Sequence, residues 1–357
     1  MDRKKVLVLF GGRSSEHEVS RRSAYFIMNS IPKDRFEVLT IGIRKDGCWL
    51  LYKGDWEKIP GGEWEEDPSC RRAFLSPDPS VHGIVVEEEN GLRYEKIDVI
   101  FPVLHGKNGE DGTIQGLFEL STIPYVGCNT LASAVCMDKA VAHTLLSAVN
   151  IEQAHYLWFY SYRYLEDPEG ARKIEAKVSA RFNFPVFVKP ANAGSSVGVS
   201  RVTKIEDFRA AVQKAAREDG KIVVEEGVEG QEVECAVLGN RKPIASTVGE
   251  IGATADFYDY DDKYVSGTSQ LYIPARLSQE KIDEIRAIAC RAYWHLGCSG
   301  LSRVDFFVKK NGQVVLNEIN TLPGFTSISM YPKLWEACGK KGEELVCDLI
   351  DCAFEAK

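Results

Sequence analysis

The fold is decided by one stretch, Ser302-Arg303-Val304-Asp305-Phe306-Phe307-Val308-Lys309-Lys310-Asn311-Gly312-Gln313-Val314-Val315-Leu316-Asn317-Glu318-Ile319-Asn320. Two alternating runs rich in β-forming residues flank an Asn-Gly pair, the strongest short-range signal for a β-hairpin. The spacing predicts a two-residue turn at Asn311-Gly312, with Lys310 opposite Gln313. This hairpin would form one edge of a sheet in the second half of the chain.

The predicted register brings polar side chains together on the hairpin. Asp305 would lie opposite Glu318, and Arg303 opposite Asn320. Directly opposed residues share a sheet face with Cβ atoms ~4.5–5.5 Å apart, and opposed carboxylates repel unless a cation lies between them. Oxygen ligands of this kind suit Mg²⁺. The alternative is an exposed hairpin with incidental charges, but a purely structural hairpin would avoid the repulsion between two opposed carboxylates.

Length and composition describe an ordinary globular chain. With 357 residues it has room for two or three domains with their own cores, and 44% hydrophobic and 27% charged residues are typical values. A net charge of −8 argues against a general nucleic-acid surface. The ten cysteines are scattered without a C-x-x-C pair, which predicts reduced thiols in a cytoplasmic protein. We find no signal sequence and no apolar run of transmembrane length.

The first part of the chain resembles an open parallel α/β domain, predicted over residues 1–127. The apolar run Lys5–Phe10, which ends in Gly11-Gly12, is typical of a buried parallel strand. A helix is predicted over 19–31, with further strands at 36–43 and 96–104. Residues 50–95 are predicted to form an irregular peripheral excursion.

Two further α+β domains with mixed sheets are predicted, over residues 128–228 and 229–357. The expected elements of the central domain are a helical stretch at 130–149, strands at 156–160, 185–189, 198–202 and 221–226, and a helix at 205–217. In the third domain we expect strands at 232–238 and 243–249, helices at 279–296 and 343–354, and the hairpin.

Two loops of the central domain are candidates for nucleotide binding. In 187–199, Lys189 ends an apolar strand before a loop of small residues whose backbone could fold over phosphates, although such loops are as often linkers. In 221–232, a strand edge and acidic residues could hold adenine and ribose. The alternative for that segment is a solvated acidic turn.

Three more loops carry signs of a ligand site. His105–Thr113 follows a buried strand with three glycines, a position where open α/β sheets bind ligands. The aromatic and polar loop 255–268 could close over a site, although a surface loop pinned by its tyrosines fits the composition nearly as well. The backbone and hydroxyl groups of 321–330 could bind a carboxylate.

Taken together, these motifs resemble those of the D-alanine–D-alanine ligases, a branch of the ATP-grasp superfamily, over nearly the whole chain. The resemblance rests on Gly11–Ser20, His105–Gly116, Met137-Asp138-Lys139, Lys189-Pro190 with Gly194–Gly198, Phe257–Tyr260 with Lys263-Tyr264, Arg303-x-Asp305 and Asn317–Thr326. It implies a three-domain fold with ATP held between the two later domains. It also implies a homodimer that acts on small molecules, whereas the cytoplasmic location and the lack of nucleic-acid or membrane partners are expected from the composition above.

The resemblance also assigns residues to roles. The implied ATP-binding residues are Lys139, Lys189, Ser196, Glu225, Glu226, Val228, Glu232 and Phe307. The implied ligands of two Mg²⁺ or Mn²⁺ ions are Asp305, Glu318 and Asn320. The implied catalytic residues are Glu16, Ser195, Tyr264, Arg303 and Gly324, and the implied substrate-binding residues are Glu16, His105, Lys263, Ser329 and Met330.

Three functions remain open at this point. The first is a ligase that joins two D-alanine molecules through a D-alanyl phosphate, and the second is the same machinery with D-serine as second substrate, as in vancomycin resistance. Tyr264 differs from the histidine of ligases resembling the D-lactate type, and Met330 from the arginine often present in resistance enzymes, whereas Cys136–Lys139 is similar to the D-serine group. The third, an ATP-binding regulator without catalysis, conflicts with the complete set of implied catalytic residues.

Overall fold

The computed structural model describes residues 3–252 and 270–355. Its first sheet has seven strands in the order β6-β5-β4-β3-β2-β1-β7. Their bounds are β1 Lys4–Gly11, β2 Phe36–Ile43, β3 Trp49–Tyr52, β4 Arg71–Leu75, β5 Gly83–Glu88, β6 Gly91–Lys96 and β7 Val99–Leu104. Only β2, β1 and β7 pair in parallel, and the remaining pairs are antiparallel.

The prediction of an irregular excursion over 50–95 is therefore wrong, and the predicted strand 96–104 is split between β6 and β7. These extra strands are short, and the last of them, Gly91–Lys96, is largely exposed and polar. Such a strand lacks a buried alternating face, which is the signal that sequence patterns detect. Helix α1, His17–Ser30, and helix α2, Thr113–Ser121, follow β1 and β7. Short 3₁₀ turns lie at Trp56–Lys58 and Glu63–Glu66.

One tight contact in this domain gives a stability prediction. Trp64 is fully buried against Phe10, with ring centroids 4.9 Å apart, and a Cβ on Gly42 would lie 2.2 Å from the indole ring. Overpacking of this kind costs about 1–3 kcal/mol, so Gly42→Ala should lower the free energy of unfolding by that amount in urea titrations. Gly116→Ala is the matched control, because a Cβ there has no neighbour within 4 Å and α2 should gain about 0.5–1 kcal/mol. Equal stability of the two variants would contradict this packing.

The second sheet has four strands in the order β10-β9-β11-β8. Their bounds are β8 Tyr156–Tyr160, β9 Val186–Pro190, β10 Ser200–Val202 and β11 Lys221–Glu226. The helices around them are α3 Thr130–Met137, α4 Lys139–Ala148, α5 Tyr162–Leu165, α6 Pro168–Arg181 and α7 Phe208–Ala215. A 3₁₀ turn at Ile205–Asp207 precedes α7. All three strand pairs are antiparallel, so the predicted mixed sheet is corrected. The predicted helical stretch breaks at Asp138, whose carboxylate accepts backbone hydrogen bonds at the start of α4. Helix α6 has no counterpart in the sequence prediction.

The third sheet has five strands in the order β14-β13-β12-β15-β16, again antiparallel rather than mixed. Their bounds are β12 Gln231–Leu238, β13 Ile244–Gly252, β14 Gln270–Tyr272, β15 Leu301–Val308 and β16 Val314–Asn320. The helices are α8 Gln279–His295, α9 Met330–Ala337 and α10 Gly342–Phe354. Among the described residues, no helix is both long and apolar enough to cross a bilayer.

The hairpin of β15 and β16 confirms the predicted pairs and corrects the turn. Asp305 pairs with Glu318, and Arg303 with Asn320. The loop has three residues, because the Lys309 backbone N–H donates to the Gln313 carbonyl at 2.9 Å. The predicted pairing of Lys310 with Gln313 is therefore wrong.

All ten cysteines are free thiols, as predicted. The three sheets occupy successive parts of the chain, while the domain boundaries after residues 127 and 228 stay predictions. The mixed α/β architecture with three sheets confirms the predicted fold class, with the strand directions corrected as above.

Candidate active site

Two adjoining cavities lie where the three sheets meet. The larger, about 1030 Å³, is lined by residues of the second and third sheets, and the smaller, about 130 Å³, also by the first domain. Lys139, Ser195 and Glu318 line both cavities. A ligand in the larger cavity can therefore reach groups that also face the smaller one.

The smaller cavity has a charged wall on the third sheet. Arg303 donates from Nε and Nη2 to the two carboxylate oxygens of Asp305, at 2.8 and 2.7 Å. Its Nε also lies 2.9 Å from Glu234 Oε2, and both carboxylates are buried. The guanidinium is thus held at a fixed position in the cavity wall. Asp305 itself does not line either cavity.

Glu318 and Asn320 project from β16 towards the cavities. Asn320 Oδ1 is buried and has no hydrogen-bond partner among the described residues. Burial of an unpaired amide oxygen costs free energy, so its position beside Glu318 fits a cation-binding site. No group of three or more His, Cys, Asp or Glu side chains in the described ranges is arranged for a metal. A cation there would therefore need the amide and a ligand's own oxygens.

Glu16 and Ser195 come together from different domains. Glu16 follows β1 and is buried, and Ser195 Oγ donates to Glu16 Oε1 at 2.5 Å. Ser195 and Ser196 both adopt left-handed backbone angles, with φ of 49° and 58°, in the loop between β9 and β10. This strained loop places Ser195 at both cavities and Ser196 at the larger one.

His105 and Glu110 line the same cavity from the loop after β7. The carboxyl ends of β1 and β7 are neighbours in the sheet, which places His105 beside Glu16. His105 Nδ1 lies 2.9 Å from the Leu322 carbonyl oxygen, and burial lowers its pKa. Burial, and then the charge of Glu16, raise the pKa of Glu110 well above its usual range. Glu110 accepts a hydrogen bond from the Gly106 backbone N–H at 2.6 Å.

Gly324, Ser329 and Met330 close the cavity from the segment after β16. Met330 begins α9 and is buried. The Ser329 hydroxyl accepts from the Thr326 backbone N–H at 3.0 Å. The N-terminus of α9 therefore faces a cavity whose other walls carry charged groups.

The two lysines lie at the junction with the larger cavity. Lys139 Nζ donates to the Ala193 carbonyl at 2.7 Å, and burial lowers the pKa of this lysine. Lys189 Nζ donates to Glu225 Oε2 at 2.7 Å. Glu225, predicted to face the nucleotide, is buried and engaged by Lys189 and His143.

The remaining predicted ATP-binding residues also line the larger cavity. They are Ser196, Glu226, Val228, Glu232 and Phe307. Glu226 Oε1 accepts from the His155 backbone N–H at 2.9 Å, and Glu232 pairs with Phe307 across β12 and β15. Lys263 and Tyr264, and the whole predicted lid at 255–268, lie outside the described residues.

Sequence reasoning missed three residues of these walls. Glu234 interrupts the apolar strand β12, and a charge in such a run signals a buried partner. Glu110 stood in a quoted motif without a role. His143 gave no local signal, because its contacts come from three separate elements.

Comparisons with known proteins identify the family of the chain. Residues 5–128 match the family model "D-ala D-ala ligase N-terminus", and residues 145–351 match "D-ala D-ala ligase C-terminus". The chain belongs to the D-alanine–D-alanine ligase family. As a member of this ligase family, it is an ATP-dependent ligase that acts on small molecules.

Relatives match the chain from end to end. The D-alanine–D-alanine ligase of Acetivibrio thermocellus is 52% identical over 99% of this chain and 96% of its own length. The VanG D-Ala:D-Ser ligase of Enterococcus faecalis has a crystal structure with a TM-score of 0.89 and 41% identity, covering 99% and 100% of the two chains. The D-alanine–D-alanine ligase of Coxiella burnetii has a TM-score of 0.85 and 34% identity, over 99% and 94%. Both structures share the family's ATP-grasp fold.

Proposed function

We propose that the chain joins two D-alanine molecules into D-alanyl-D-alanine for peptidoglycan, while ATP becomes ADP and phosphate. One observation carries the proposal: Lys139, Ser195 and Glu318 belong to both cavities. ATP in the larger cavity would have its γ-phosphate at this shared wall, next to an amino acid in the smaller one. A carboxylate is a poor acyl donor, and transfer of the phosphoryl group would convert it into a reactive acyl phosphate.

The larger cavity would bind ATP along its length. Glu226, Val228, Glu232 and Phe307 would surround adenine and ribose, and Ser196 would cover the phosphates. Lys139 and Lys189 would supply positive charge to the phosphates. Glu225 lines the same cavity, and its carboxylate would also hold Lys189 in place beside the phosphates.

The smaller cavity would bind both amino acids. Glu16 would accept the ammonium group of the first D-alanine, with Ser195 linking that carboxylate to the loop above it. Attack by the amine of the second D-alanine creates a tetrahedral oxyanion, which Arg303 and the Gly324 backbone N–H would stabilise. His105 would position the first substrate, and Ser329 with Met330 at the start of α9 would receive the second carboxylate.

Asp305, Glu318 and Asn320 would hold two Mg²⁺ or Mn²⁺ ions together with the phosphates. The bound ions would neutralise charge on the transferred phosphoryl group. Asp305 can take part while bound to Arg303, because a carboxylate has about four acceptor positions. Lys263 and Tyr264 would complete the site from 253–269, Lys263 at the γ-phosphate and Tyr264 with Ser195.

The test measures phosphate release with ATP, Mg²⁺ and D-alanine alone, and then with D-serine added. The proposal predicts release, and D-alanyl-D-alanine by mass spectrometry, with D-alanine alone. A D-alanine:D-serine ligase is the second candidate, favoured by the structural similarity to the Enterococcus faecalis enzyme. Release that requires the mixture would support the second candidate against the first. An absence of release under every condition would favour a regulator without catalysis.

Three further properties complete the proposal. The chain would work in the cytoplasm as a homodimer, where D-alanine and ATP are available. Its domains would span 1–127, 128–228 and 229–357, so that movement between the last two could open the ATP cavity. The loop 255–268 would close over the acyl phosphate and exclude water.

A further inference from the structure

His143 lies in the wall of the larger cavity, and no step of the proposed reaction uses it. Its side chain is buried on α4 and is fixed from three directions. The ring stacks on Tyr156 with centroids 4.4 Å apart and an interplanar angle of 16°. Its Nδ1 lies 2.7 Å from Gln153 Oε1, and its Nε2 lies 3.1 Å from Glu225 Oε1. Both ring nitrogens are therefore at hydrogen-bond distance from an oxygen.

The orientation of the Gln153 amide is set by its other neighbours. Its Nε2 lies 3.1 Å from the His143 carbonyl oxygen, 3.4 Å from the Ile151 carbonyl oxygen and 3.2 Å from Ser147 Oγ. Carbonyl oxygens only accept hydrogen bonds, so the NH₂ group must face them. The oxygen of the amide consequently faces the His143 ring and can only accept.

Glu225 is also an acceptor. Burial alone would raise its pKa, but the positive charge of Lys189 and the hydrogen bond from His143 outweigh burial and hold the pKa well below its ordinary value. Its second oxygen accepts from Lys189 Nζ at 2.7 Å. The carboxylate is thus ionised and donates to neither neighbour.

With an acceptor on each side, both nitrogens of the ring must carry a proton. We propose that His143 is a doubly protonated positioning residue of the nucleotide cavity, which neutralises Glu225 and leaves the charge of Lys189 available for phosphate. The inference rests on the proposed function in one respect, that ATP occupies the larger cavity. Two further charged groups begin α4, about one turn before His143: Lys139, which interacts electrostatically with Glu225, and Asp138, which is paired with Lys221.

The charge balance explains why this matters. His143, Glu225 and Lys189 together carry a net positive charge when the ring is protonated, and no net charge when it is neutral. A neutral group would attract ATP phosphates less, and Lys189 would be committed to Glu225. Removal of a charged hydrogen-bond partner should therefore weaken ATP binding by about tenfold.

The charge state can be read directly by NMR of the full chain labelled with ¹⁵N-histidine, at about pH 7.5, where an unperturbed ring is mostly neutral. The chain has six histidines, and loss of a signal in His143→Asn assigns the ring. We expect both ring nitrogens of His143 to show the protonated shift. The shifts of a neutral tautomer would overturn the proposal, whether or not the protein is an active ligase.

Steady-state kinetics test the positioning role. His143→Asn should raise the KM for ATP about tenfold and leave the KM for D-alanine within about twofold, whereas His143→Lys should recover most of the loss because it restores a cation. His295→Asn is the matched control, since His295 is exposed at the end of α8. Thermal unfolding verifies that each variant folds. An unchanged KM for ATP in folded His143→Asn, or an equal rise for both substrates, would refute the role.

Discussion

Replacement of Arg303 by methionine is expected to lower turnover by about 10²–10³-fold while largely sparing ATP binding. The guanidinium is held in the wall of the smaller cavity by Asp305 and Glu234, where a tetrahedral oxyanion would form. Loss of one fixed donor to an oxyanion costs about 2.7–4 kcal/mol of transition-state stabilisation. ATP would lie in the larger cavity, which Arg303 does not line. Phosphate release measures turnover, and calorimetry measures binding of an ATP analogue.

Methionine at this position leaves two buried carboxylates without their cation, so stability must be measured as well. Arg303→Lys keeps a positive charge but loses the planar fork, and it should fold while retaining a reduced rate. Arg291→Met is the control for the same change at an exposed position on α8. If folded Arg303→Met kept full turnover, Arg303 would have no part in oxyanion stabilisation.

The hairpin shows how far sequence reasoning reached. The predicted partners of Asp305 and Arg303 are correct, although the predicted turn is one residue too short. The structure restores the register with a bulge, because Phe306 pairs with Leu316 rather than Asn317. Gly312, with φ of 85°, ends the longer turn in a conformation that suits glycine. The longer turn shifts the register by one residue and the bulge shifts it back, which local residue preferences alone cannot reveal.

Long-range contacts explain what the sequence could not predict. In the first domain, short segments between residues 49 and 96 form antiparallel strands. Their pairing depends on the adjacent strands of the sheet and not on a buried alternating face. Ser195 meets Glu16 across 179 positions of the chain, and Arg303 meets Glu234 across two strands. Motifs could therefore nominate most candidate residues, whereas the partners that orient them required the packed sheets.

Removal of a carboxylate from the hairpin should have an effect at least as large as that at Arg303. Glu318→Gln is expected to lower turnover by about 10³-fold or more, because bound cations contribute several kcal/mol of charge stabilisation in phosphoryl transfer. Glu318 lines both cavities beside the unpaired oxygen of Asn320, so it is the carboxylate best placed to bridge ATP and protein through a cation.

Electron paramagnetic resonance of Mn²⁺ with a non-hydrolysable ATP analogue separates cation binding from catalysis. Weaker Mn²⁺ binding should accompany the slower turnover of Glu318→Gln. Glu152→Gln is the matched control, since Glu152 is exposed near the same hairpin and accepts from the Gln313 amide at 2.9 Å. Slow turnover with unchanged Mn²⁺ binding would assign Glu318 to the phosphoryl group itself. Unchanged turnover and binding would remove it from the site, and the buried Asn320 oxygen would then need another partner.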